Sequence, residues 1–171
     1  AYHRAVWEGV MIGDVPVGAG LSSSAALELA TARAFASITP FTWDAAKMAL
    51  TSQRAENEWV GVNCGIMDQM ISAAGESGHA LLIDCRSLAT ESVPLPSGTV
   101  VVVMDTMSRR GLVGSAYNER REQCEAAAKF FGVKALRDIS VPQFKARSHE
   151  LDELTRKRAR HVITENERTL Q

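Results

Sequence analysis

The chain has 171 residues, a formal net charge of −1, and 46% hydrophobic residues. This length is enough for a real core in one domain or in parts of two small ones. The near-neutral charge argues against nucleic acid or an anionic membrane as a partner. The apolar run at 100–104 is far shorter than the ~20 residues that cross a bilayer. We therefore expect a soluble protein.

The cysteines and histidines do not form a metal-binding pattern. The three cysteines lack C-x-x-C spacing, so neither a disulfide framework nor a zinc site is indicated. The four histidines lack the H-E-x-x-H and H-x₃-H spacings of a histidine-built metal site. This residue usage fits a reducing cytoplasm, and we expect a cytoplasmic location.

The first part of the chain mixes strands and helices. The hydrophobic pattern predicts strands at 10–14 and 80–84 and helices at 23–37, 44–57 and 66–74. The elements do not follow the regular rhythm of βαβ units of ~30 residues. The pattern therefore favours the α+β class.

A connector rich in proline and glycine, residues 93–98, separates this part from the rest of the chain. After it, the β-branched run 100–104 predicts a buried strand, and a long helix is predicted at 115–131 with Gly132 at its C-terminal cap. A basic, helical tail is predicted at 151–170.

The most informative stretch is a glycine turn that leads into a helix with three serines, Gly18-Ala19-Gly20-Leu21-Ser22-Ser23-Ser24. A helix N-terminus has unpaired N–H groups and partial positive charge, and glycine lacks the Cβ that would block an anion. The turn has neither the Gly-Lys-Ser/Thr of a Walker loop nor the third glycine of a dinucleotide fold. It is therefore either an anion site of another kind or only a tight strand-to-helix connection capped by serine.

Two acidic residues occupy positions where the pattern favours apolar ones. Glu56 ends the apolar stripe of the second helix, and it either has a role there or reaches solvent or an arginine, Arg54 or Arg33. Asp68 lies between large apolar residues after a glycine-bearing loop. A carboxylate there accepts a proton in a reaction, caps the short helix, or points outward on a half-exposed face.

Tyr117 lies near the start of the long helix predicted after the connector. Its hydroxyl could contact a polar ligand, although most such tyrosines are core residues with a satisfied hydroxyl. The arginine pairs nearby alternate with glutamates and are expected to form solvated faces. We do not infer nucleic-acid binding from them.

Several motifs, taken together, carry a family resemblance. Residues 16–26 contain Gly-Ala-Gly-Leu-Ser-Ser-Ser-Ala, residues 64–69 are Cys-Gly-Ile-Met-Asp-Gln, and residues 79–88 contain Leu-Leu-Ile-Asp-Cys-Arg-Ser-Leu. The first motif resembles the GHMP kinase superfamily in general, and the other two resemble its galactokinase family in particular. Residues 117–121 and 160–168 continue the likeness.

The resemblance implies a role for each matched residue. Ser24 and Glu56 would ligate Mg²⁺, and Asp68 would be the catalytic carboxylate facing the anomeric hydroxyl of the sugar. Gly65 and Tyr117, with Asp68, would contact the sugar. The residues that would surround the ATP phosphates are Gly18, Ala19, Gly20, Leu21, Ser22, Ser23 and Ser24.

The resemblance also implies the GHMP kinase fold. Residues 1–95 would be the latter part of the N-terminal, ATP-binding domain, which is like domain 2 of ribosomal protein S5, and residues 96–171 the start of a ferredoxin-like C-terminal domain. The sugar-reading Gly-Glu-His-x-Asp motif and the glycine-rich third motif of galactokinases are not found in the chain. We therefore expect an internal piece of a larger kinase that is inactive alone.

The implied reaction of that kinase is transfer of phosphate from ATP to D-galactose, which gives galactose 1-phosphate in the Leloir pathway. The expected partners are ATP and galactose, with no nucleic acid, membrane or obligate protein partner. The alternatives are an N-acetylgalactosamine or arabinose kinase, or a non-catalytic regulator that binds galactose and ATP on the same fold.

Overall fold

A computed structural model describes residues 8–105, 107 and 116–170, with the side chains of 116 and 117 outside the description. The described residues form two compact units. The first unit comprises Ala1–Ala55 and Gly65–Arg109, and the second comprises Glu56–Cys64 and Arg110–Gln171. The predicted domain boundary between residues 95 and 96 stays a prediction.

Three helices make up most of the first unit. They are α1 (Ser23–Ser37), α2 (Ala45–Ala55) and α3 (Met67–Ala74), and each packs against the other two. All three were predicted from the sequence with bounds that agree within two residues. Their starts and ends depend on local signals, such as Asp44, whose carboxylate accepts a hydrogen bond from the N–H of Lys47 at 3.0 Å.

The core of the first unit is small. Ala49 of α2 packs with Ile66 and Met70 at the start of α3. A polar link joins α1 to α2, because the hydroxyl of buried Ser52 donates a hydrogen bond to the carboxylate of Glu28. Apolar packing therefore holds α2 against α3, and this charged hydrogen bond links α1 to α2.

A β-hairpin completes the first unit. Strand β1 (His79–Ile83) pairs antiparallel with β2 (Thr90–Pro94), so that Leu81 lies opposite Ser92. In the turn, Asp84 accepts hydrogen bonds from the N–H groups of Arg86 and Ser87 at 2.8 and 2.9 Å. The Asp-Cys-Arg-Ser-Leu motif is therefore the turn of this hairpin.

Strand β2 was not predicted, since its C-terminal residues Val93 and Pro94 were assigned to the connector. Two predicted strands, 10–14 and 100–104, are wrong: these residues have no regular structure, and Val10 and Val100 are 91% and 84% exposed. A strand needs hydrogen bonds to a neighbouring strand, and the described residues pair only β1 with β2. β-Branched residues alone do not supply a partner.

The second unit contains helices α4 (Ala116–Phe131), α5 (Val141–Arg147) and α6 (Glu153–Arg168). α4 and α6 were predicted, and Gly132 adopts φ +70° at the end of α4, as the predicted cap requires. None of the helices in the described part of the chain is long and apolar enough to span a membrane. The hydrophobic core of the second unit consists of the buried residues Ala127, Ala128, Leu136, Ile139, Phe144, Ala159 and Ile163.

Asp152 caps the N-terminus of α6. Its carboxylate accepts hydrogen bonds from the N–H groups of Leu154 and Thr155, both at 3.0 Å. The hydrogen bonds from Thr155 lower the pKa of Asp152 below its ordinary value of 3.8. Because the folded-state pKa is depressed, the ionised cap stabilises the fold above the ordinary pKa, and this contribution is lost as the pH falls below it.

We expect Asp152→Asn to isolate this effect, because asparagine also caps helices but does not titrate. The wild type should be more stable than the variant at pH 6, and the difference should shrink as the pH falls below 3.8. Thermal unfolding of both proteins over a pH series measures it. A difference in stability that stays constant with pH would contradict the assignment.

Candidate active site

The glycine turn before α1 has alternating backbone handedness. Gly18 and Gly20 both have φ +73°, and Ser22 has φ +58°, whereas Ala19 and Leu21 do not have positive φ. Such alternation points successive N–H groups into one concavity, an arrangement that binds anions. A Cβ built at Gly20 would meet no atom within 4 Å, so the turn is open to a ligand.

The turn leads directly into the N-terminus of α1. Ser22 is the N-cap, but its side chain makes no capping hydrogen bond. Ser23 is half-buried and Ser24 is exposed. The Ser22 side chain therefore does not support the alternative in which serine only caps the helix. The N–H groups of the first turn are not satisfied by this side chain.

Asp68 lies in the first turn of α3, two residues after Ile66, which is the N-cap. The Asp68 side chain is half-buried, and it accepts no hydrogen bond from the described residues. It is therefore neither fully buried nor the cap of α3, and its role as a proton acceptor stays a prediction. Gly65, just before α3, is exposed, with no atom within 4 Å of a built Cβ.

Glu56 begins a π-helical turn, Glu56–Val60, that continues from α2. The residue is only 3% exposed, and its Oε1 has no hydrogen-bond partner among the described residues. The alternative that Glu56 reaches solvent is therefore wrong. A buried carboxylate oxygen without a partner is costly and is a candidate metal ligand, and π-turns of this kind often occur at functional sites.

Two asparagines that sequence reasoning did not single out hold the loop before α3. Asn118 Oδ1 accepts a hydrogen bond from the N–H of Asn63 at 3.2 Å, and Asn57 Oδ1 accepts one from the N–H of Cys64 at 3.1 Å. The only sequence signal was that Asn118 lies within the matched segment 117–121, and nothing in the sequence singled out Asn57.

The predicted site residues are divided between the two units. The turn 18–24, Gly65 and Asp68 belong to the first, and Glu56 and Tyr117 belong to the second. Tyr117 lies in α4, and its side chain is outside the described part. The described residues contain no group of three or more His, Cys, Asp or Glu side chains that could hold a metal. A metal held by one serine and one glutamate, as predicted, does not need such a group.

Known proteins are similar to this chain in sequence and in structure. Residues 4–76 match the family model of the GHMP kinases N terminal domain. The crystal structure of Lactococcus lactis galactokinase complexed with galactose is similar to this chain, with 34% sequence identity and a TM-score of 0.79. The similarity covers 92% of this chain, and the chain spans 42% of the length of that galactokinase.

These matches show that the chain has the GHMP kinase fold, with a GHMP kinase N-terminal domain matched at residues 4–76. The chain is galactokinase-like, as the Cys-Gly-Ile-Met-Asp-Gln and Asp-Cys-Arg-Ser-Leu motifs predicted. The prediction of an α+β chain with the GHMP kinase fold is thus confirmed.

Proposed function

We propose that the whole protein transfers the γ-phosphate of ATP to the anomeric hydroxyl of D-galactose. A bond forms between the sugar oxygen and the γ-phosphorus, the bond from that phosphorus to the β–γ bridging oxygen breaks, and the products are galactose 1-phosphate and ADP. The observation that carries this proposal is the likeness to a galactose-binding galactokinase over 92% of the chain.

The turn at residues 18–24 is the proposed site for the ATP phosphates. Its support is the alternating φ at Gly18, Gly20 and Ser22, which directs N–H groups to one side. The N-terminal end of α1 adds partial positive charge. In phosphoryl transfer most of the catalysis is positioning and charge stabilisation, which fixed amides supply without rearrangement.

Asp68 is the proposed general base. Its half-buried carboxylate has no hydrogen-bond donor among the described residues, so it is free to accept the proton of the sugar hydroxyl. The proton moves to the carboxylate as the sugar oxygen attacks. Gly65 and Tyr117 are the proposed sugar contacts, and the open space around Gly65 leaves room for a ring.

Ser24 and Glu56 are the proposed Mg²⁺ ligands. Both offer oxygen, which this hard cation prefers. The buried Oε1 of Glu56, without a hydrogen bond from the described residues, fits such a role, because a metal would compensate the cost of burial. When bound, the ion would neutralise charge on the phosphates of ATP.

The proposal is tested by incubating the whole protein with ATP and Mg²⁺ and one of three sugars: D-galactose, N-acetylgalactosamine or arabinose. We expect ADP release that depends on galactose, and a product whose phosphate is on the anomeric oxygen by ³¹P and ¹³C NMR. Faster turnover of another sugar would show that this sugar, and not galactose, is the substrate. Binding of galactose and ATP without turnover would show that the protein is a non-catalytic regulator and not an enzyme.

A further inference from the structure

Three consecutive backbone amides donate hydrogen bonds in the loop that precedes α3, residues 61–65. The N–H of Val62 donates to the carbonyl oxygen of Glu56 at 3.1 Å. The N–H of Asn63 donates to Asn118 Oδ1, and the N–H of Cys64 donates to Asn57 Oδ1. The N–H of Cys64 donates also to the carbonyl oxygen of Val62 at 2.8 Å. Three consecutive amides are therefore satisfied within the second unit, and side chains accept from two of them.

The two side chains that bond this loop come from different elements. Asn57 lies in the π-turn, and the thiol of Cys64 is also within hydrogen-bond distance of its Oδ1, at 3.4 Å. Asn118 lies in the first turn of α4, and its half-buried side chain reaches back to a residue 55 positions earlier. The loop is thereby tied to two helical segments just before the chain reaches Gly65.

We propose that Asn57 and Asn118 are positioning residues that hold this loop so that Gly65, and Asp68 three residues later, are presented to the sugar. This inference rests on the proposed function. Neither asparagine touches the reacting atoms. Their contribution is to restrict the loop, because small displacements of a positioned group reduce the rate of a reaction strongly.

The test compares Asn118→Ala with the wild type of the whole protein. Loss of one hydrogen bond corresponds to an effect of about 5-fold, so we expect the KM for sugar to rise or the kcat to fall by roughly that factor. The KM for ATP should stay unchanged. Asn118→Asp keeps an acceptor oxygen at the same position and should recover most of the loss.

Glu119→Ala is the matched control, since Glu119 is the next residue of α4 and is exposed. It should leave both KM values unchanged. If Asn118→Ala does not fold, Asn57→Ala removes the side-chain acceptor of the Cys64 amide without altering α4 and leaves the Val62 carbonyl oxygen as its acceptor. We expect a change in the sugar parameters in the same direction. In either variant that folds, faster hydrogen exchange of the Asn63 or Cys64 amide should accompany the kinetic change.

The outcomes separate this inference from the proposed function. A wild type that phosphorylates no sugar refutes the proposed function before any variant is compared. An active wild type with unchanged sugar kinetics in both asparagine variants refutes the inference alone. A fall in thermal stability without a change in KM or kcat for sugar also refutes it, because the asparagines would then serve only the fold.

Discussion

Replacing Asp68 by asparagine is expected to lower turnover of the whole protein by at least ~10²-fold, because a positioned general base contributes ~10²- to 10⁴-fold and an amide does not accept the proton. The substitution keeps the size of the side chain and its half-buried place in the first turn of α3. ATP binding should change less than about 2-fold, since the phosphate turn is on another element. Steady-state kinetics and ATP titration measure the two quantities.

Glu76→Gln is the control for this variant. Glu76 is an exposed carboxylate that lies two residues after the end of α3. Its replacement should leave turnover unchanged. Near-normal turnover in Asp68→Asn would show that Asp68 is not the general base. An equal loss of turnover in both variants would indicate an effect on helix α3 and not on proton transfer.

Replacing Glu56 by glutamine should have two opposite effects. As a lost Mg²⁺ ligand, it should raise the Mg²⁺ concentration needed for half-maximal activity by at least ~10-fold. In the metal-free wild type, the buried Glu56 carboxylate is destabilising, because its Oε1 has no hydrogen bond from the described residues. Glutamine at this position should therefore raise the unfolding temperature measured without Mg²⁺. Mg²⁺ titrations of activity and thermal unfolding measure both effects.

Glu58→Gln is the matched control, because Glu58 is in the same π-turn and is exposed. It should change neither the Mg²⁺ titration nor the metal-free stability in the way Glu56→Gln does. An unchanged Mg²⁺ titration in Glu56→Gln would refute the ligand role. A fall in metal-free stability would show that the buried carboxyl group supports the fold.

The helices could be predicted from the sequence because their signals are local. Helix α1 begins and ends at the predicted residues, where a glycine turn precedes it and the apolar period stops. The strands could not be predicted in the same way, because a strand forms only where another strand pairs with it. Residues 10–14 and 100–104 have the composition of strands, but no described strand pairs with them. β2 was missed because the proline at its end resembles a connector.

The site could be predicted in part. The open turn at Gly18 and Gly20 followed from residue type alone, because glycine permits the positive φ that the structure shows. That Glu56 is buried could not be predicted, since burial depends on tertiary packing. The roles of Asn57 and Asn118 also depend on contacts that the sequence pattern does not reveal, one of them between elements distant in the chain.

The central claim is that ATP phosphates bind the backbone amides between Gly18 and Ser24. Amide chemical-shift mapping tests it most directly: the ¹⁵N-labelled 171-residue chain is titrated with Mg²⁺-ATP. We predict saturable shifts that are largest for the amides of Gly20 to Ser24. Saturable binding with the largest shifts elsewhere would contradict the claim, as would unchanged amides from Gly18 to Ser24 in a folded chain at millimolar ATP.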